Sequence, residues 1–146
     1  MPPEWAYFDT SVLVKRYISE PGSLQARALL RGHDFLSSSI VSPELLSAFS
    51  RLRRSGELSE TRFNTLLSRV QDDRLRWELI EVSPTVLHGA EQLVQGRVAV
   101  RTLDAIHIAS LVAFKTAAAV EIPFVTADSR QRDAAIQVGL SVVWVG

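Results

Sequence analysis

The chain has 146 residues, 47% of them apolar and 22% charged, with 16 basic side chains, 16 acidic ones and no cysteine. That length and balance suit one unit with a real core, residues 1–146, and exclude a disordered or fibrous chain. The cancelled charge excludes binding of nucleic acid or anionic membrane through net charge, and the missing cysteines exclude disulfides, thiolate metal sites and a cysteine nucleophile.

The start, Met1-Pro2-Pro3-Glu4, lacks the basic and apolar regions of a secretion signal. No apolar run approaches the ~20 residues of a membrane span, so a cytoplasmic location is expected. Residues 5–8 read as a first strand, followed by Asp9-Thr10-Ser11, and residues 35–38 as a second. Ser42-Pro43 then places a capping hydroxyl before a proline at the first helical position, and Leu45, Ala48, Phe49 and Leu52 recur with helical spacing. Ser55-Gly56 ends that helix and Ser59 starts another through Phe63, Leu66, Leu67 and Val70, so residues 42–73 are expected to form an αα-hairpin. A third strand is read at residues 78–82. Ser83-Pro84 opens a helix through Val86, Leu87, Ala90, Leu93 and Val94, and a further helix carries Leu103, Ile106, His107, Leu111 and Phe114 on one face. Strands at residues 123–126 and 141–145 complete the pattern. Alternating strands and helices with short connections predict an α/β fold, a mainly parallel sheet with helices on both faces.

Four acids stand out in this frame. Asp9 ends the first strand, Glu44 opens the helix after the second, Asp104 sits in the first turn of its helix, and Asp128 follows the fourth strand. Each alone suits a helix N-terminus, and Asp128 with Gln131 could form a capping box. Together they point elsewhere, because the carboxyl ends of parallel strands emerge at one edge of the sheet, where ligands bind. Crowded carboxylates are relieved by a shared proton or a bound cation, and oxygen-only donors favour Mg²⁺ or Mn²⁺. Such an ion polarises phosphoryl oxygens and activates water, the chemistry of phosphodiester hydrolysis.

The blocks around these acids are Tyr7-Phe8-Asp9-Thr10-Ser11-Val12-Leu13-Val14-Lys15, Ser42-Pro43-Glu44-Leu45, Arg101-Thr102-Leu103-Asp104-Ala105-Ile106-His107-Ile108-Ala109 and Thr126-Ala127-Asp128-Ser129-Arg130. In that order they resemble the PIN-domain ribonucleases, and among them the VapC-like toxins of toxin-antitoxin pairs, almost end to end. The resemblance implies a PIN-like three-layer sandwich and RNA cleavage by metal-activated water at Asp9, Glu44, Asp104 and Asp128. It assigns Ser11 and Thr126 to support of the ligands or of metal-bound water. It also implies an RNA substrate, a small antitoxin partner and a homodimer.

Other residues carry weaker signals. His107 lies one helical turn after Asp104, and a histidine packed within the helix layer is the expected role, with a general base as the alternative. His33 and His88 read as surface or loop residues. Fourteen of the sixteen basic residues are Arg, an excess that GC-rich codon usage explains. Arg51, Arg53 and Arg54 follow Glu44 and could face a phosphate backbone or simply solvent, and Arg101 is a second candidate for RNA or partner contact. Trp5, Trp77 and Trp144 are expected in the core. Two rival functions share part of the pattern. A phospho-acceptor signalling module also gathers acids around Mg²⁺, but the acidic pair and late lysine of such modules are missing here. A PIN-like scaffold without catalysis is the other, since fold alone does not fix function.

Overall fold

The structure, a computed structural model, describes residues 4–146; residues 1–3, where the segment read for a leader begins, lie outside the described residues. Five strands, β1 (Trp5–Phe8), β2 (Asp34–Ser38), β3 (Glu78–Ile80), β4 (Phe124–Thr126) and β5 (Val142–Trp144), form one sheet in the order β3-β2-β1-β4-β5. Every pairing is parallel, so the sheet is wholly rather than mainly so. The strands keep close to their expected places; β2 starts one residue earlier, and β3 stops at Ile80 rather than reaching Val82.

A parallel sheet must be covered on both faces, and β1 shows how the sequence arranges this. Ala6, Tyr7 and Phe8 are all 0% exposed. Side chains alternate across a strand, so Ala6 and Phe8 join one core with Val12, Phe49 and Leu66, while Tyr7 joins a second with Leu36, Ile108 and Phe124. The first core is closed by α1 (Thr10–Tyr17), α2 (Ser23–Gly32), α3 (Val41–Arg54) and α4 (Glu60–Asp73). The second is closed by α6 (Thr102–Ala118) and α7 (Ser129–Gln137), with α5 (Pro84–Gln95) packed on α6. The result is three layers. Among the described residues, no helix is long and apolar enough to cross a membrane.

The expected αα-hairpin is α3 and α4, with Ser59 Oγ accepting from Arg62 N at 3.1 Å and Gly56 taking the left-handed φ of 82° that ends α3. Ser83 caps α5 through Val86 N, with Pro84 at its first position as expected. The start of α3 differs. Its first residue is Val41, and Ile40 is its N-cap without a side-chain bond. Ser42 therefore lies inside the first turn, where its hydroxyl accepts from Arg74 Nη2 at 2.9 Å. Pro43 is tolerated there because amides of the first turn have no helical acceptor. The apolar spacing also missed α1 and α2, and it assigned Leu103 to the core, whereas Leu103 is 48% exposed and the buried run is Asp104 to Leu111. Lying between the sheet and α5, α6 has little solvent face to leave a periodic stripe.

Asp73, at the end of α4, ties the hairpin to α1. It accepts from Arg16 Nε at 3.0 Å and from Tyr17 Oη at 2.5 Å. Burial pushes the Asp73 carboxyl up, but the bonds from Arg16 and Tyr17 and the Arg16 charge hold it below the usual range. Burial and the same carboxylate drive the Tyr17 hydroxyl up.

Candidate active site

Parallel strands release their C-terminal residues at one edge of the sheet, and that edge here carries Asp9 after β1, Ser38 at the end of β2 and Thr126 at the end of β4. Asp9 caps α1, its Oδ1 accepting from Val12 N at 3.3 Å. Ser11 Oγ donates to the same oxygen at 2.6 Å, and Thr126 Oγ1 donates to Oδ2 at 2.5 Å. Each hydroxyl is itself fixed by the chain beyond β4: Ser11 Oγ accepts from Ala127 N and Thr126 Oγ1 from Asp128 N, both at 3.0 Å. Asp9 is 0% exposed. Burial raises its pKa, against the opposing influence of His107 and of the hydrogen bonds from Ser11, Thr126 and Val12. Ser11 and Thr126 thus both touch Asp9 directly.

Glu44 projects from the first turn of α3. Its Oε1 accepts from Thr10 Oγ1 and from His107 Nε2, each at 2.6 Å. On the other side of the ring, Tyr7 Oη donates to His107 Nδ1 at 2.7 Å and accepts from Ser38 N at 3.1 Å. Burial pushes Glu44 up, but the contacts with His107 and Thr10 outweigh it and leave the carboxyl below its ordinary value. His107 is therefore more than a histidine packed within the helix layer: it is 0% exposed and bridges β1 to α3. Helical spacing could not show this, because its partners lie 100 and 63 residues away in sequence.

Asp104 and Asp128 form the remaining wall. Asp104 is 6% exposed, in the first turn of α6. Asp128 caps α7, accepting from Arg130 N at 2.9 Å and Gln131 N at 3.4 Å. The capping box is half made, since Asp128 N bonds Thr126 and not the Gln131 side chain. Arg101 spans the two acids, with Nε 3.5 Å from Asp104 and Nη2 4.0 Å from Asp128. Glu44, Asp104 and Asp128 all line one cleft of about 760 Å³, together with Thr10, Ser11, Arg51, Arg101 and Gln131. Arg51 alone of its cluster faces this cleft. Arg53 stacks on Phe63 at 3.9 Å and pairs with Glu60, and Arg54 is exposed. The tryptophans lie away from it: Trp5 meets Phe114, Trp77 meets Phe35, and Trp144 is 38% exposed under Arg132, a departure from the expected core placement.

The fold thus brings three of the expected acids to one cleft and seals the fourth, Asp9, behind Ser11 and Thr126. Among the described residues, no three carboxylate or imidazole groups stand close enough together to enclose an ion in this arrangement. The chemistry of the donors nevertheless fits a hard divalent cation: the cleft offers carboxylate and hydroxyl oxygens, and a guanidinium already bridges two of the acids. Gln131, which the sequence reading noticed only as a cap, adds a second sign. It is 5% exposed, and its Oε1 is buried without a partner among the described residues, an acceptor suited to a metal-bound water.

Comparison with known proteins places the chain in a family. Residues 6–137 match the PIN domain family. Ribonuclease VapC45 of Mycobacterium tuberculosis is 34% identical over 108 residues, 73% of this chain and 74% of that protein. Ribonuclease VapC47 of the same species is 30% identical over 138 residues, 91% of each. Two solved structures share the fold at 17% identity. FitAcB from Neisseria gonorrhoeae has a TM-score of 0.73, covering 94% of this chain and 95% of its own. VapBC2 from Rickettsia felis, bound to a DNA fragment from its promoter, has a TM-score of 0.67 and coverage of 97% and 99%.

Proposed function

The chain belongs to the PIN-domain family, and from that premise we propose that it is a divalent-metal-dependent endoribonuclease, the toxin of a toxin-antitoxin pair. The observation that carries the reading is the cleft at the carboxyl edge of the sheet, which Glu44, Asp104 and Asp128 all line. Residues 1–146 act as one nuclease unit, in the cytoplasm, on an RNA substrate.

Asp9, Glu44, Asp104 and Asp128 would hold the cation, Mg²⁺ or Mn²⁺. When bound, it supplies positive charge for the phosphoryl oxygens and lowers the pKa of an attacking water. This chain's own groups do the rest. Ser11 and Thr126 hold the Asp9 carboxylate by donating to its two oxygens. Arg51 and Arg101 supply charge for the RNA backbone at the mouth of the cleft. Arg101 must release Asp104 and Asp128 as the acids turn to other partners, which its long contacts and its own exposed side chain allow. A small antitoxin and a second copy of the chain are the expected protein partners. The former can compete at the acids with an Arg of its own.

The test incubates purified protein with total RNA, with Mg²⁺ or Mn²⁺ and with chelator, beside Asp9→Asn and Asp104→Asn. Cleavage should need the cation and disappear in both variants while the fold is retained. Full activity in chelator, or in both variants, refutes the mechanism. Growth arrest on expression of the unmodified chain, relieved by a neighbouring small open reading frame, tests the toxin assignment separately.

A further inference from the structure

The Glu44 carboxylate is gripped by two other side chains, Thr10 and His107. A glutamate that reaches a cation across three rotatable bonds loses rotamer entropy on binding, unless it is already held in place. Here a chain of hydrogen bonds performs that holding. Ser38 N donates to Tyr7 Oη, Tyr7 Oη donates to His107 Nδ1, His107 Nε2 donates to Glu44 Oε1, and Thr10 Oγ1 donates to the same oxygen. With Nε2–H facing Glu44, this arrangement of protons satisfies each of these groups. Both bonds fall on Oε1, so Oε2 is left for the cleft, which Glu44 lines.

We propose that His107 is a positioning residue, anchored by Tyr7, that together with Thr10 locks the Glu44 carboxylate with one oxygen turned toward a divalent cation. The proposal rests on the metal-dependent reading above and adds to it a group outside the acid set. Three features support it. The ring is 0% exposed, so it reaches neither solvent nor substrate and acts only through its neighbours. Tyr7 is stacked on Phe124 at 5.3 Å and set edge-on to His107, so the base of the relay is rigid. The two groups that grip the carboxylate come from α1 and α6, and Tyr7 of β1 anchors the second, so the carboxylate of α3 is referenced to the sheet rather than to its own helix. Partners that orient ligand carboxylates and imidazoles are worth about 10–100-fold in metal affinity where they have been removed.

The experiment is Mn²⁺ titration of the RNA-free full chain by calorimetry, beside chemical unfolding in chelator. His107→Leu keeps the bulk and removes both ring nitrogens; Thr10→Val removes the second grip; His107→Gln can still present an N–H to Glu44. Mn²⁺ affinity should fall about 10–100-fold in His107→Leu, fall in Thr10→Val, and return toward the unmodified value in His107→Gln. If His107→Leu does not fold, the other two variants decide: weakened binding in Thr10→Val with retained binding in His107→Gln supports the proposal. Unmodified affinity in a folded His107→Leu or in Thr10→Val overturns it, as does a folded His107→Gln no better than His107→Leu. In those cases metal-dependent cleavage by the unmodified chain still stands. If the unmodified chain itself binds no Mn²⁺, the metal-dependent reading falls and the positioning role falls with it.

Discussion

Replacing Thr126 with Val is the most direct probe of how the sealed Asp9 is stabilised. The substitution keeps the shape of the side chain but removes the hydroxyl that donates to Asp9 Oδ2 at 2.5 Å and accepts from Asp128 N at 3.0 Å. A hydrogen bond to a charged group contributes about 1.5–3 kcal/mol. Asp128 is partly exposed, with 28% of its side chain in solvent, so water can take the place of the hydroxyl at its amide and the loss adds under about 1 kcal/mol. Thr126→Val in chelator at pH 7 should therefore cost roughly 2–4 kcal/mol in urea unfolding, a fall in Tm of about 3 °C for each kcal/mol. The decisive measurement is the cycle with Asp9→Asn. Without the carboxylate the hydroxyl has only a neutral partner, worth about 0.5–1.5 kcal/mol, and the Asp128 amide bond is lost in both backgrounds, so the coupling between the two sites should be about 1 kcal/mol. Equal costs in both backgrounds would refute the reasoning and reduce Thr126 to a packing residue.

Asp73 sets an acid limit on stability. Its folded pKa is depressed, so its contribution is complete above the unfolded value of about 3.8 and is lost as pH falls through the lower folded value; Asp73→Asn should flatten that part of the stability curve and cost roughly 1.5–3 kcal/mol at neutral pH. Gln131→Leu should raise metal-free stability by about 1 kcal/mol, since it removes a buried oxygen without a partner, yet slow RNA cleavage; a loss of stability in calorimetry would show that Oε1 is satisfied in solution. Arg51→Gln should lower the slope of log binding constant against log salt for single-stranded RNA by about 0.7, whereas Arg54→Gln should leave it unchanged, and equal effects would contradict the facing inferred from the cleft.

Residues that act through chain position were legible in the sequence, and residues that act through distant partners were not. Asp9 and Asp128 follow strands, and parallel topology alone sends both to one edge; Ser59 and Ser83 announce their helices by local capping chemistry. Glu44 was found for the same positional reason, although α3 starts at Val41, because the turn at Ser39 and Ile40 leads directly into the helix and leaves Ser42 free to bond Arg74. The grip on Glu44 was invisible. Thr10 reads as an ordinary helix-start residue and His107 as one more position on an apolar face, and only tertiary packing sets them both 2.6 Å from the same oxygen. Gln131 was hidden differently, since its backbone does what a capping residue does while its side chain turns into the cleft. Nothing local distinguishes those two fates.

The placement of β1 in the middle of the sheet has a consequence for how the protein comes into being. This strand emerges first from the ribosome, and β2 joins one side of it early, but its other neighbour, β4, arrives after more than a hundred residues. The bond that closes over Asp9, from Thr126, spans 117 positions. Until that late segment is made, the open side of β1 is an unpaired strand edge of apolar residues, prone to associate with other chains. Contacts of such long sequence separation also form slowly, because the intervening loop must close first. A chain that stops short of β4 has the partner strand β2 for β1 but no Thr126 to place over Asp9. The Thr126 bond to Asp9 therefore forms only after β4 has been made.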